Sequence, residues 1–355
     1  MKATILVTAA GGPGAVNMTR SLMMDPELKL IGCDASAHYV HLAITPVKAI
    51  VPRCADISTY LDAINRLCVR HNVDLIMPNN SLEAHVLAAH RDQLDASVFL
   101  PKVETLDIAN SKWRSFRLWR EHGLPVPKSW LIQNRANLRS VFAEHQERPI
   151  WVRGAGIPGK GIGGAALPCK SLHQAEAWID FYDGWGGMMA SEYLPGDNLT
   201  WIGLFHRGEL VTSCSRRRLA YVIPHVSPSG ITGAPAISEI IHRSDLDALG
   251  QQAALAVDSQ LTGVSFIDFK CDREGTPRIT EMNAGRFGTT HHFYSVAGLN
   301  LPLMYVQLAL KGTVDPRPSI YNPLPEGLTW IRTLDAGPVL LSRDAIERFE
   351  RDESA

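Results

Sequence analysis

The stretch V264-S-F-I-D-F-K-C-D-R-E-G-T-P-R-I-T-E-M-N-A-G-R286 decides how the rest of the chain reads. VSFIDFKC and RITEMN are rich in β-branched and aromatic residues and predict two strands, and DREGTP between them is turn chemistry. A turn centred on Glu274 and Gly275 sets Asp268 directly opposite Glu281 and Asn283 opposite Phe266. All lie on one face, because side chains alternate along a strand. Two carboxylates facing each other across a ladder repel, so the pairing predicts a cation between them, with the Asn283 amide oxygen as a third hard ligand. Oxygen-only ligation by few protein groups suits Mg²⁺, which keeps waters and completes its shell from phosphates. The competing reading makes both acids solvated charges, but Val264 and Phe266 share their face. A bulge in the hairpin would shift this register.

Working outward, the 355 residues predict two or three domains. A net charge of -1 gives no electrostatic case for nucleic acid. The six cysteines are scattered without a CxxC, which points to a reducing cytosol and hence a cytoplasmic protein. No apolar run approaches the ~18 residues of a membrane span, and MKATILVTAAGG reads as a first strand rather than a signal peptide.

Toward the N-terminus, residues 3–10, KLIGCD and DLIMPNN read as strands, with helices over about 15–24 and 57–71. This alternation predicts an open parallel sheet of Rossmann type over roughly 1–105. Gly11-Gly12-Pro13-Gly14 entering a helix is an anion site by geometry. With Asp34 it imitates a dinucleotide site, although GGPG lacks the GxGxxG spacing. Asn79, Asn80 and Glu83 follow a strand end, where open sheets bind small ligands and where helices also take N-caps and first-turn acids.

A second unit begins near Ser111, where Lys112 opens an amphipathic helix ending at Gly123. PIWVRG then leads through Arg153 into a loop in which Gly154, Gly156, Gly159, Gly161, Gly163 and Gly164 surround Lys160. So many glycines free backbone amides to wrap anionic oxygens. The spacing is not GxxxxGK[ST], and the reading is a flap over phosphates rather than a P-loop. MMASEYLPGDNL follows as a strand and bend. Arg216, Arg217 and Arg218 precede a Pro/Ser/Gly-rich loop, VIPHVSPSGITGAP. A triple arginine is either a solvated edge or, beside a phosphate site, a holder of an anionic substrate. His291 and His292 are adjacent and cannot share a face, so they are not read as metal ligands. A tail from about Pro316 carries one strand, GLTWIRTL, and a short helix near 343–351.

Taken together, these features resemble the ATP-grasp superfamily over roughly residues 1–312. Asp268, Glu281 and Asn283, spaced D-x12-E-x-N, match the Mg-binding set of the D-alanine–D-alanine ligases, and Glu281-Met282-Asn283 matches the EMN of carbamoyl-phosphate synthetase large subunits. Lys112 and Arg153 stand at the nucleotide-contacting basic positions. Glu192-Tyr193-Leu194 resembles the segment that holds adenine. Asn198 replaces the usual ribose-binding Glu, and an extra Gly285 displaces the family arginine to Arg286.

The fold implied is mixed α/β and α+β. A Rossmann-like pre-ATP-grasp domain (1–107) precedes a small grasp subdomain with the Gly-rich loop (108–188), a large one with the Mg site (189–315) and a C-terminal extension (316–355). The resemblance implies a carboxylate–amine ligase acting through an acyl phosphate, with ATP and two Mg²⁺ (Mn²⁺ as a substitute). In that role Lys112, Arg153 and Arg286 would be catalytic. Lys112, Arg153, Gly159, Lys160, Gly161, Gly163, Gly164, Glu192, Tyr193, Leu194 and Asn198 would bind nucleotide. Gly12, Asn79, Asn80 and Arg216 to Arg218 would meet a small carboxylate and an amine. A carboxylase or carbamate-phosphorylating enzyme, an NAD(P) oxidoreductase and a catalytically silent nucleotide-binding protein are the alternatives. No Ser-His-Asp or Cys-His arrangement argues for a covalent enzyme intermediate. Neither nucleic acid nor membrane is expected as a partner, and a homodimer is left open.

Overall fold

The computed structural model describes residues 1–147, 149–160, 166–334 and 339–344. Their strands form three sheets. The first is parallel, in the order Val47–Ile50, Leu28–Asp34, Ala3–Val7, Leu75–Met77, Ser97–Val98. Its central strand, ATILV, is buried throughout, as expected for a parallel strand covered on both faces. Pro13 opens the helix Pro13–Leu22 directly after the glycines, where its missing N–H costs nothing. Gly11 must be glycine because a Cβ there would collide with the Tyr39 carbonyl. Asp34 accepts from the Gly11 amide at 3.0 Å and the Ser36 amide at 2.9 Å. Its carboxylate therefore braces its own loop, which removes the ribose acid on which the NAD(P) reading depended. Glu83 is buried at the same end of the sheet and accepts from the Thr8 hydroxyl at 2.7 Å.

The second sheet is antiparallel, in the order Ser129–Ile132, Met188–Glu192, Ile150–Gly154, Ala166–Cys169. The helices Arg135–Glu144 and Leu172–Phe181 share its core through Leu138, Val141, Ala175 and Ile179. The helix Lys112–Glu121 starts where Ser111 caps it and stops before Gly123, whose φ of +70° suits a residue without Cβ. Trp119 donates to the Ala253 carbonyl at 2.9 Å and ties this helix to Ser244–Val257.

The third sheet has seven strands: Pro277–Ala284, Gly263–Cys271, Asn198–His206, Glu209–Tyr221, Pro235–Ile241, Thr329–Ile331 and Val339–Leu341. All its strand pairs are antiparallel. The segment expected as a C-terminal extension thus enters this sheet, with Ile331 opposite Ile237. The helix expected near 343–351 falls mostly outside the described residues. No helix among the described residues is long and apolar enough to cross a membrane.

Candidate active site

Cross-strand register builds the site. Glu281 faces Asp268, Asp268 faces Thr200, and Thr200 faces Arg216, so four polar side chains form one row across four strands. Two residues along, Asn283 and Phe266 continue the same face; in the other direction lie Lys270, Asn198 and Arg218. The hairpin contains the bulge whose effect on register the sequence left open. Beyond it Phe269 faces Ile279 and Cys271 faces Pro277, which shifts the turn by half a residue. The bulge sits past Asp268, and the predicted pairing of the two acids holds.

Both acids are held by cations. Lys112 Nζ lies 3.1 Å from Glu281 Oε1, and Arg218 Nη2 lies 2.8 Å from Asp268 Oδ1, which also accepts from Thr200 Oγ1 at 2.8 Å. Burial pushes the Glu281 carboxyl up, but the Lys112 and Arg153 charges outweigh it and hold it below its ordinary value. Burial lowers the Arg153 pKa against the pull of Glu281 and Asp268. Its guanidinium donates to the Thr280 carbonyl at 2.7 Å. Arg286 donates to Ser81 Oγ at 2.7 Å and to Asn283 Oδ1 at 3.1 Å, so the start of the helix Ser81–Ala89, which follows the strand Leu75–Met77, helps hold it. Asp268 Oδ2 and Glu281 Oε2 accept none of these bonds. Two carboxylates and an amide oxygen on one face are a donor set that fits Mg²⁺. Among the described residues no three His, Cys, Asp or Glu side chains gather, so an ion here would rest on two acids and Asn283.

Two contiguous cavities open on this face. The first is a partly apolar slot between Trp151, Pro168, Leu194 and Phe269, edged by Glu192, Asn198 and Lys270. The second, at about 410 Å³, falls in the range of small-ligand sites and is lined by Lys112, Arg153, Arg216, Arg218, Asn283 and Arg286. Both share Trp151, Arg153, Arg218, Asp268 and Glu281. Glu192 accepts from the Lys128 amide at 3.0 Å, and Tyr193 also lines the slot.

Several expected residues lie elsewhere. Arg217 points to the opposite side of its strand and pairs with Glu239 at 2.7 Å and Asp197 at 3.4 Å, because alternation separates it from Arg216 and Arg218. Asn80 caps the helix Ser81–Ala89 by accepting from Leu82 at 2.8 Å. Asn79 packs on Gly14 and donates to the Phe287 carbonyl at 3.5 Å, and Gly12 caps the first helix; none of the three lines either cavity. Gly159 and Lys160 follow the strand bearing Arg153 and are exposed, while Gly161, Gly163 and Gly164 lie outside the described residues. Sequence reasoning missed Trp151, Thr200, Tyr221 and Lys270. Lys270 shares the Asp268 face at a spacing of two, so strand period alone could have found it.

No protein-family model matches the chain. It is 26% identical over 207 residues to a D-alanine–D-alanine ligase of Laribacter hongkongensis, a match covering 58% of this chain and 65% of that relative, just under two thirds of its length. In fold it is similar to the L-amino acid ligase of Bacillus licheniformis (TM-score 0.65, 14% identity, covering 93% of this chain and 79% of that one). It is likewise similar to the biotin carboxylase of Campylobacter jejuni, solved as a β,γ-ATP complex (TM-score 0.67, 16% identity, 93% and 75% covered).

Proposed function

We propose that this chain, which has the ATP-grasp fold, is an ATP-dependent carboxylate–amine ligase. It would activate one carboxylate as an acyl phosphate, join it to an amine, and release ADP and phosphate. The observation that carries this reading is the shared face on which an acid pair, an amide oxygen and several half-buried cations continue into a partly apolar slot. Phosphoryl transfer needs positioning and charge neutralisation more than covalent help, and this face offers both. A purine would lie between Trp151, Pro168 and Leu194, with Glu192 to Leu194 along its edge and Asn198 and Lys270 toward the sugar. Lys112, Arg153 and Arg286 would take phosphate oxygens, with Gly159, Lys160 and the glycines after them as the flap. Asp268, Glu281 and Asn283 would hold Mg²⁺ (two ions, or Mn²⁺ in its place), which supplies charge neutralisation between phosphates. Arg216 and Arg218 would meet the small substrates. In this reading 1–107 is the pre-ATP-grasp domain and the two grasp halves meet near 188.

The test is a screen of ADP release with Mg-ATP and paired carboxylates and amines. Stoichiometric ADP with a new amide in the mass spectrum supports the ligase. The same cations would also receive bicarbonate, so ADP formed with bicarbonate and no amine would select the carboxylase or carbamate-phosphorylating reading. ATP binding without turnover under any mixture would select a silent nucleotide-binding protein.

A further inference from the structure

The larger cavity is lined by five cations, Lys112, Arg153, Arg216, Arg218 and Arg286, against two anions, Asp268 and Glu281. Four of the five cations have an assignment. Lys112 and Arg218 pair with the two acids, Arg153 holds the Thr280 carbonyl beside them, and Arg286 bridges Ser81 and Asn283. Arg216 is the most deeply buried of the five, at 7% exposed; like Arg153 and Arg286 it makes no ion pair among the described residues, and like Arg153 and Arg218 it has a buried Nε without a hydrogen-bond partner. Its guanidinium touches only neutral groups there, donating to the Thr290 hydroxyl and lying 5.8 Å from the Trp330 ring centre. The Asp268 charge also acts on it, from a distance and already paired with Arg218, while Arg218 and Arg332 add positive charge nearby. A buried cation with no carboxylate in contact is unfavourable, and an arriving anion relieves the arrangement.

Position separates that anion from the nucleotide. Arg216 stands two strands from Asp268, about 10 Å at the usual strand spacing. Arg218 reaches back to Asp268, whereas Arg216 turns the other way, toward Thr290 and Trp330. Thr289, held by Arg332 through its carbonyl at 2.8 Å and its hydroxyl at 2.9 Å, walls that end of the cavity.

Resting on the ligase reading of this face, we propose that Arg216 anchors a carboxylate or phosphate of a substrate that is not the group being activated. The reacting pair then includes an extra anionic group, carried either by the acid (a dicarboxylate or phosphorylated acid) or by the amine (an amino acid).

The test uses the full chain saturated with Mg²⁺ and a non-hydrolysable ATP analogue, titrated by calorimetry. Sulfate and glutarate should bind wild type, and Arg216→Met should weaken both at least tenfold. Arg243→Met, which removes a surface partner of Asp245, should bind as wild type. Arg216→Lys keeps the buried charge but loses the two-pronged fork. It should weaken binding severalfold and serves if the Met variant does not fold. Glutarate binding tenfold tighter than butyrate places the extra group on the acid; glycine binding tenfold tighter than methylamine places it on the amine. Failure of either anion to bind wild type, or equal binding to wild type and Arg216→Met, overturns the proposal. The ligase reading fails separately, by the absence of ADP release with every acid–amine pair, and that result leaves the anion site standing.

Discussion

Replacing Glu83 by Gln should stabilise the protein above neutral pH and leave it nearly unchanged in mild acid. Glu83 is 4% exposed, beneath the C-terminal end of the parallel sheet, where the Thr8 hydroxyl is its neighbour and the Asp34 charge lies nearby. Burial, aided by Asp34, raises its pKa from 4.5 to about 7. Between those values the folded chain holds a proton that the unfolded chain has released. The contribution is therefore fully present below pH 4.5 and is lost as pH rises to about 7. At ~1.36 kcal/mol per pH unit the loss is roughly 3 kcal/mol. Gln keeps an acceptor for Thr8 and has no proton to lose. Urea unfolding followed by tryptophan fluorescence should show the two proteins nearly equal at about pH 4 and the variant ahead by up to ~3 kcal/mol near about pH 8. A difference that stays constant across that range would refute the reasoning, as would a variant less stable in base.

Asp268→Asn and Glu281→Gln should each reduce ATP turnover by at least about a hundredfold without changing the far-ultraviolet circular dichroism; normal turnover in Glu281→Gln would sink the site. Trp151 walls both cavities, so Mg-ATP should change the intrinsic fluorescence of the wild type. Trp151→Phe should silence most of that change while calorimetry still registers binding; an unaltered signal would place the nucleotide elsewhere. Gly250 lies in the helix Ser244–Val257, where Ala normally gains about 1 kcal/mol. Here the added methyl would enter the Trp201 ring, and Gly250→Ala should instead destabilise by roughly 1–3 kcal/mol, a sign that a thermal melt decides.

What the sequence made legible was local. The hairpin at Asp268 and Glu281 could be read because a short turn fixes which residues face each other, and the bulge beyond Asp268 left that pair intact. Alternation separated Arg217 from its neighbours, a distinction available in the sequence but lost when three arginines are read as one cluster. Thr200 was invisible because its role depends on which strands lie beside it, and sequence spacing carries no such order. For the same reason GLTWIRTL read as a strand but not as the neighbour of Pro235–Ile241, about ninety positions earlier. Asp34 misled because a carboxylate at a strand end serves a loop amide as readily as a ribose.

Trp330 comes from the strand Thr329–Ile331 and lies beneath Arg216, whereas the acid pair comes from a self-contained hairpin four strands away in the same sheet. On the ligase reading, the hairpin that would hold the metal and the Trp330 ring under the far anchor lie in separate stretches of the chain and meet through the sheet. On that reading, substitutions around Trp330 would retune which molecule is accepted while the hairpin's hold on the metal stays unchanged.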